Sequence, residues 1–306
     1  MKRIEKISII GMGALGIMYG QHLVKALGRD AVRFVADEER QRRYATKEIM
    51  YNGERCDFSM IAPSVQDDPA DLLIFAVKST GLAQAIVDAK NQVGEDTIIM
   101  SVLNGISSEE ELMAVYGPDR ILHCLGIGMD ATKLGDELVA KNIGRVVFGT
   151  TDPMKVPLVE AVREFFVRVA LPHVVADDIR YELWNKFMIN VGVNQTVMIY
   201  EGNYRMIQEP GEPREQVKAA MREVIALAQA EGVALNESNM ERALAMLDTL
   251  APEGMPSMRQ DGLLKRPSEV ELFAGTVCRM AAKHGLAVPV NERFYQIITE
   301  REKEYR

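Results

Sequence analysis

Along the first half of the chain, short apolar runs alternate with stretches of helical period. Lys6 to Ile10, Val32 to Ala36, Leu72 to Val77, Ile98 to Leu103 and Arg145 to Phe148 read as strands. Ala14 to Leu27 and Val156 to Val169 read as helices, and Gly28 stands where the first would end. Continuous apolar strands alternating with helices predict a parallel sheet covered on both faces. After about Asp177 only helical patterns follow: Asp178 to Tyr200, Pro213 to Glu231, Ser238 to Leu250, Pro267 to His284 and Asn291 to Tyr305. Gly232 and Gly285 fall where C-terminal caps belong, and Asn291 where an N-cap belongs. The expected fold is therefore an α/β domain with a parallel sheet over residues 1–176, followed by an all-α domain over 177–306. No internal repeat is found.

The length of 306 residues suits two domains, and 47% hydrophobic with 26% charged residues is ordinary globular composition. Collagen-like, disordered and disulfide-framework classes are excluded. With 36 Lys and Arg against 44 Asp and Glu, the net charge is −8, which argues against a nucleic-acid partner. Cys56, Cys124 and Cys278 are scattered, with no CxxC and no Cys/His cluster, so no metal site is expected. Lys2, Arg3 and Lys6 ahead of an apolar run imitate a signal peptide. Glu5 interrupts that basic region, and no small-residue cleavage site follows. No stretch offers the roughly 18 apolar residues of a membrane helix. A cytoplasmic protein without a membrane partner is the expectation.

Gly11-Met12-Gly13-Ala14-Leu15-Gly16 is a GxGxxG that directly follows a predicted strand and opens a predicted helix. In that setting the first glycine permits a tight turn, and the second lets backbone approach a pyrophosphate. The third lets the helix pack near the strand, with phosphates at the helix N-terminus. The arrangement is that of a Rossmann-type dinucleotide site. Asp37, at the end of the second strand, suits an adenosine ribose and points to NAD. Arg40, Arg42 and Arg43 follow at once and offer a phosphate an alternative seat.

Across Leu183 to Tyr200 the only charged residue is Lys186, and Asn190 and Asn194 follow at i+4 and i+8. Each step turns the helix by about 40°, so the three side chains share one face about 6 Å apart. The remaining circumference is apolar, which predicts burial. A lysine and two asparagines on such a helix need a polar cavity, a ligand or a bonded seam to a neighbouring helix. Lys78 and Asn104-Gly105 lie at the carboxyl ends of strands, where open α/β sheets bind ligands. Ser257 falls in a loop between helices, and Glu269 in the first turn of a helix opened by Pro267.

Taken in order, these pieces resemble the ketopantoate reductase (2-dehydropantoate 2-reductase) family along nearly the whole chain. They are GMGALG, Val77-Lys78, Asn104-Gly105, the pattern of Lys186, Asn190 and Asn194, Ser257 to Asp261, Ser268-Glu269, and His284 to Asn291. The resemblance implies NADPH-dependent reduction of 2-dehydropantoate to (R)-pantoate, a step toward pantothenate and coenzyme A. It implies that Lys186 is the proton donor and that Asn190, Asn194 and Ser257 hold substrate, with Asn203 as a further contact one residue out of register. Asn104 would lie where cofactor and substrate meet, Lys78 beside the cofactor, and Glu269 near the nicotinamide. Asp37 stands where the family often has arginine, which opens the way to NADH. Gly81 and Leu103 replace frequent glutamines. The apolar surroundings of Lys186 would lower its pKa and ease proton release. Two alternatives remain: a paralogue reducing another 2-oxo acid, and a dinucleotide-binding sensor without turnover. The sequence does not fix the oligomeric state, a homodimer being among the options.

Overall fold

The computed structural model describes residues 3–66 and 68–305; Lys2 of the basic start lies outside them. Two compact units form, one from residues 1–103 and 108–179, the other from 104–107 and 180–306. The first unit runs β1 (Ile7–Ile10), α1 (Ala14–Leu27), β2 (Val32–Val35), α2 (Glu38–Ala45), β3 (Met50–Tyr51), β4 (Glu54–Arg55), β5 (Ser59–Ile61) and β6 (Ala70–Phe75). It continues with α3 (Leu82–Asp88), β7 (Val93–Ser101), α4 (Ser108–Tyr116), β8 (Ile121–Ile127), β9 (Thr132–Leu134), β10 (Glu137–Val139), β11 (Arg145–Gly149), α5 (Val156–Arg168) and β12 (His173–Val175).

Among the described residues the main sheet has the order β12-β11-β8-β7-β6-β1-β2-β5. From β5 to β8 every pairing is parallel. The sheet is not parallel throughout: β11 runs antiparallel to β8, and β12 follows β11. Every residue of β1, β2 and β6 is buried, Ser8, Arg33 and Asp71 among them, which is why these strands read as mainly apolar runs rather than as alternating patterns. One core, with Ile9, Phe34, Leu72 and Phe148, packs the sheet against α1 and α5; another, with Ile10, Phe75, Leu82 and Leu112, packs its other face against α3 and α4. Each such side chain contributes about 1.5–3 kcal/mol on burial. The chain reverses its order between β1 and β6, and both the glycine turn after Ile10 and Lys78 follow the carboxyl ends of these two strands.

The second unit runs α6 (Ile179–Ile199), α7 (Arg205–Gln208), α8 (Glu212–Ala230), α9 (Glu237–Leu247), α10 (Ser257–Leu263), a π-helical turn (Glu271–Gly275), α11 (Thr276–His284) and α12 (Pro289–Lys303). Its core surrounds α6, from Trp184 through Val191 to Met198, with Phe273, Val277, Phe294 and Ile298.

Two expectations about this unit are corrected. The helix read from Pro267 begins only with the π-turn at Glu271, so Glu269 sits in the bend before it. Asn291 is not an N-cap but the third residue of α12, fully buried, and Val288 holds the cap position. The first N–H groups of α12 are satisfied from another helix: Val290 and Asn291 donate from their backbone to the Glu223 carboxylate at 2.8 and 3.0 Å. Among the described residues no helix is long and apolar enough to cross a membrane.

Candidate functional site

At Gly11 and Gly16 the glycine turn is held by contacts that admit no side chain. Gly11 has φ +110°, and a Cβ there would fall 2.6 Å from the Ala76 carbonyl group. A Cβ on Gly16 would fall 1.9 Å from the Gly11 oxygen, so α1 presses directly on the turn that starts it. Gly13, at the N-cap of α1, carries no side chain to cap the helix, and its own Cβ would meet nothing closer than Ala76 O at 3.6 Å. The first N–H groups of a 14-residue helix thus face outward, uncapped by a side chain, at the positive end of its dipole. This donor set fits the pyrophosphate of a dinucleotide. Met12 and Gly16 are buried, while Ala14 and Leu15 are half-buried members of the first turn. Lys133 of β9, which nothing in the sequence singles out, donates from Nζ to Met12 O at 2.9 Å and adds a positive charge to the turn.

At the end of β2, Asp37 is the N-cap of α2, its Oδ1 accepting from Arg40 N at 2.7 Å. Of the three arginines that offer a phosphate an alternative seat, Arg42 and Arg43 are exposed, Arg43 with its guanidinium 5.2 Å from the Tyr44 ring centre. Arg40 is instead bracketed by carboxylates, with Nε 3.5 Å from Asp37 Oδ2 and Nη1 3.2 Å from Asp88 Oδ2. A guanidinium already shared by two acids has little attraction left for a third anion. Lys78, three residues past β6, is exposed at the start of a short 3₁₀ turn.

In the second unit, α6 carries the polar row. Asn194 is buried, whereas Lys186 and Asn190 are half-buried, less enclosed than the apolar circumference of the helix predicts. The row is bonded in two groups. Asn194 Nδ2 donates to Asn190 Oδ1 at 3.3 Å, and Asn194 Oδ1 accepts from Ser257 Oγ and Met258 N, both at 3.4 Å. Ser257 is not in a loop but opens α10, which brings its hydroxyl to the row. The second group is Lys186 Nζ donating to Asn104 Oδ1 at 3.0 Å, with Asn104 Nδ2 donating to Glu269 Oε2 at 2.9 Å.

Asn104 reaches Lys186 because residues 104–107 belong to the second unit although the sequence places them between β7 and α4. Gly105 makes the turn at φ +91° and lies against Leu272 of the π-turn. The amide of Asn104 is thereby oriented from both ends. Its oxygen faces the ammonium, and its nitrogen faces the carboxylate. Chemically, this is a cation held in place by a neutral acceptor and backed by an acid, with amide donors four and eight residues farther along the same helix and a hydroxyl beside them on α10. Such a set has the chemistry to bind a carboxylate and to supply a proton. Asn203 stands apart, past the end of α6, its Nδ2 donating to Glu253 Oε2 at 2.8 Å.

Comparison with known families matches residues 7–153 to the model described as ketopantoate reductase PanE/ApbA. Residues 178–302 match that described as ketopantoate reductase PanE/ApbA C terminal. A 2-dehydropantoate 2-reductase of Aquifex aeolicus (strain VF5) is 26% identical, the match covering 98% of this chain and 97% of that protein. Among solved structures, a D-mandelate dehydrogenase in ternary complex with NADH and anilino(oxo)acetate superposes with a TM-score of 0.87 at 20% identity. That match covers 98% of this chain and 99% of the other. A dimeric ketopantoate reductase from Staphylococcus aureus superposes at 0.82 and 20% identity, over 98% and 100%. At these identities the two structures speak for the fold.

Proposed function

The chain belongs to the ketopantoate reductase family of NAD(P)H-dependent oxidoreductases, and we propose that it reduces a 2-oxo acid to the 2-hydroxy acid with NADH, 2-dehydropantoate being the first candidate substrate. The observation that carries this reading is the bonded series of Lys186, Asn104 and Glu269. A sensor that only bound a dinucleotide would need the glycine turn and no such series.

When bound, a reduced nicotinamide supplies the hydride for the carbonyl carbon. As the C–H bond forms and the C=O π bond breaks, negative charge collects on the former carbonyl oxygen. Lys186 is assigned to stabilise that charge and to deliver the proton that converts the alkoxide to a hydroxyl. Asn104 keeps the ammonium pointed, and Glu269 keeps Asn104 from rotating. Asn190, Asn194 and Ser257 are assigned to the substrate carboxylate and its neighbouring hydroxyl. The backbone of residues 11–16, with Lys78 beside it, is assigned to the cofactor.

The preference for NADH over NADPH rests on Asp37 and on the pairing of Arg40 with Asp37 and Asp88. A 2′-phosphate would meet a carboxylate and a guanidinium already neutralised. A second reading, reduction of a different branched or aromatic 2-oxo acid, is favoured by Asn203, whose amide is bonded to Glu253 rather than to the row. The D-mandelate dehydrogenase that shares the fold fits such a substrate class. A homodimer is proposed by analogy with the Staphylococcus aureus relative. With 2-dehydropantoate as substrate, the product is the pantoate of pantothenate synthesis, and the protein works in the cytoplasm.

The test follows loss of the reduced-nicotinamide absorbance with NADH or NADPH, against 2-dehydropantoate and a panel of 2-oxo acids. Turnover with one of them is expected, and Lys186→Ala lowers kcat at least 10³-fold (about 4 kcal/mol) while cofactor binding stays within about twofold. No oxidation of either cofactor with any acid overturns the reading. Retained turnover in the lysine variant removes Lys186 from its role.

A further inference from the structure

We propose that Gln195 is a positioning residue for the reaction, setting the aim of Glu269, and through it Asn104 and Lys186, by holding open the π-helical turn at Glu271–Gly275. The proposal rests on the reading of Lys186, Asn104 and Glu269 given above. It concerns a residue that touches none of the three.

A π-turn is an irregularity that needs a cause. In a regular α-helix the carbonyl of Val270 would accept from Ala274 N. Here it accepts from Gly275 N at 3.0 Å, five residues on, and from Phe273 N at 3.2 Å. Ala274 N donates instead to the side chain of Gln195, at 3.0 Å from Oε1. Gln195 is fully buried on α6, next to Asn194, and the rest of its amide is committed. Its Nε2 donates to Val191 O at 2.9 Å and to Asn291 Oδ1 at 3.2 Å. Asn291 is held in turn, its Nδ2 donating to Glu223 Oε2 at 2.7 Å. Each acceptor and donor in this series matches only one orientation of each amide, so neither can flip without leaving buried polar groups unpaired.

The position of the extra residue decides what faces the site. Glu269 lies immediately before the turn, and its own carbonyl accepts from Phe273 N at 3.1 Å, so its backbone is tied to the π-turn. Leu272, inside the turn, is the surface against which Gly105 packs. Removing the side-chain acceptor for Ala274 N favours the regular α-helical pairing. In that case the residues before the turn rotate by about 100° relative to those after it. The Glu269 carboxylate then leaves Asn104, and Asn104 loses the bond that orients it toward Lys186.

The experiment is a double-mutant cycle on kcat, with the 2-oxo acid found to turn over fastest. Gln195→Met keeps the volume without the amide. Gln195→Asn keeps the amide but withdraws it by one methylene. Each is made alone and with Glu269→Ala, which removes the acceptor for the Asn104 amide. Each single variant is expected to lose roughly tenfold to a hundredfold in kcat, the range set by displacement of a catalytic group by about 1 Å. The dissociation constant for NADH stays within about twofold. Combined with Glu269→Ala, neither Gln195 substitution lowers kcat further, because its effect is exerted through that carboxylate. Losses that multiply in the double variants overturn the proposal, as does a wild-type kcat for Gln195→Met. Failure of both Gln195 variants to fold makes the residue a folding determinant and also overturns it. If the unaltered protein turns over no 2-oxo acid, the underlying reading fails, and the proposal with it. Wild-type kcat for Glu269→Ala, with normal turnover by the unaltered protein, overturns the proposal as well, while the reading of the reaction stands.

Discussion

Replacing Gly13 by alanine separates the two duties of the glycine turn. The backbone at Gly13, with φ −77° and ψ −170°, is open to any residue, and the added methyl would lie 3.6 Å from its nearest neighbour, an ordinary contact. Restricting the unfolded chain favours alanine by about 0.4–1 kcal/mol, and exchanging glycine for alanine at an N-cap opposes it by a few tenths. The unfolding free energy of Gly13→Ala is therefore expected within about 1 kcal/mol of the parent. Binding is another matter, because the methyl occupies the approach to the first N–H groups of α1. Losing one hydrogen bond to a charged phosphate costs about 1.5–3 kcal/mol, a rise in the NADH dissociation constant of roughly 10- to 150-fold. Gly16→Ala is the control with the opposite signature. Its methyl would sit 1.9 Å from Gly11 O, so helix and turn must separate and the fold itself is lost. Urea unfolding and fluorescence titration with NADH read the two quantities on the same samples. A dissociation constant for Gly13→Ala within twofold of the parent would refute the phosphate assignment. A stability loss above about 2 kcal/mol would refute the claim that the position is open.

Asp37→Ser, which keeps a helix-capping oxygen and removes the charge, is expected to raise kcat/KM with NADPH relative to NADH at least tenfold; an unchanged ratio means that Asp37 does not face the adenosine ribose. Burial pushes the carboxyl of Glu109 up to about 7 despite hydrogen bonds from Ser108 Oγ and from the backbone. Between about pH 4.5 and 7 the folded state therefore holds a proton that the unfolded chain releases, and this group's contribution to stability falls as pH rises through that window. The unfolding free energy of Glu109→Gln minus that of the parent should grow by about 3 kcal/mol from pH 4.5 to 7 and then level off. Parallel profiles would dispose of the assignment.

Local chemistry made much of this legible. Helix α1 ends at Gly28 as the pattern says, because its apolar period and its cap are both encoded within a few residues. Strands β1, β2 and β6 stand out because both their faces are covered. Elements stabilised from afar do not announce themselves. Strand β8 holds His123 and Gly126 among its apolar residues, and only its neighbours β7 and β11 make it a strand. Asn291 carries the chemistry of a cap, yet it is buried inside α12 because Glu223, 68 residues earlier, caps that helix instead. Glu269 reads as a residue of an ordinary helix start, and nothing within several positions betrays the π-turn, since its cause is Gln195, 79 residues before Ala274. The row of Lys186, Asn190 and Asn194 is visible as a period. Asn104 and Glu269 enter by the family resemblance, but their bonds, across 82 and 165 residues of sequence, are visible only in three dimensions.

The four residues 104–107 belong to the second unit while the chain on either side of them belongs to the first. A gene fragment that begins at Arg180 would encode Lys186 and Glu269 but not the amide that stands between them. Cutting the chain at that point therefore leaves the ammonium without this acceptor and the carboxylate without this donor.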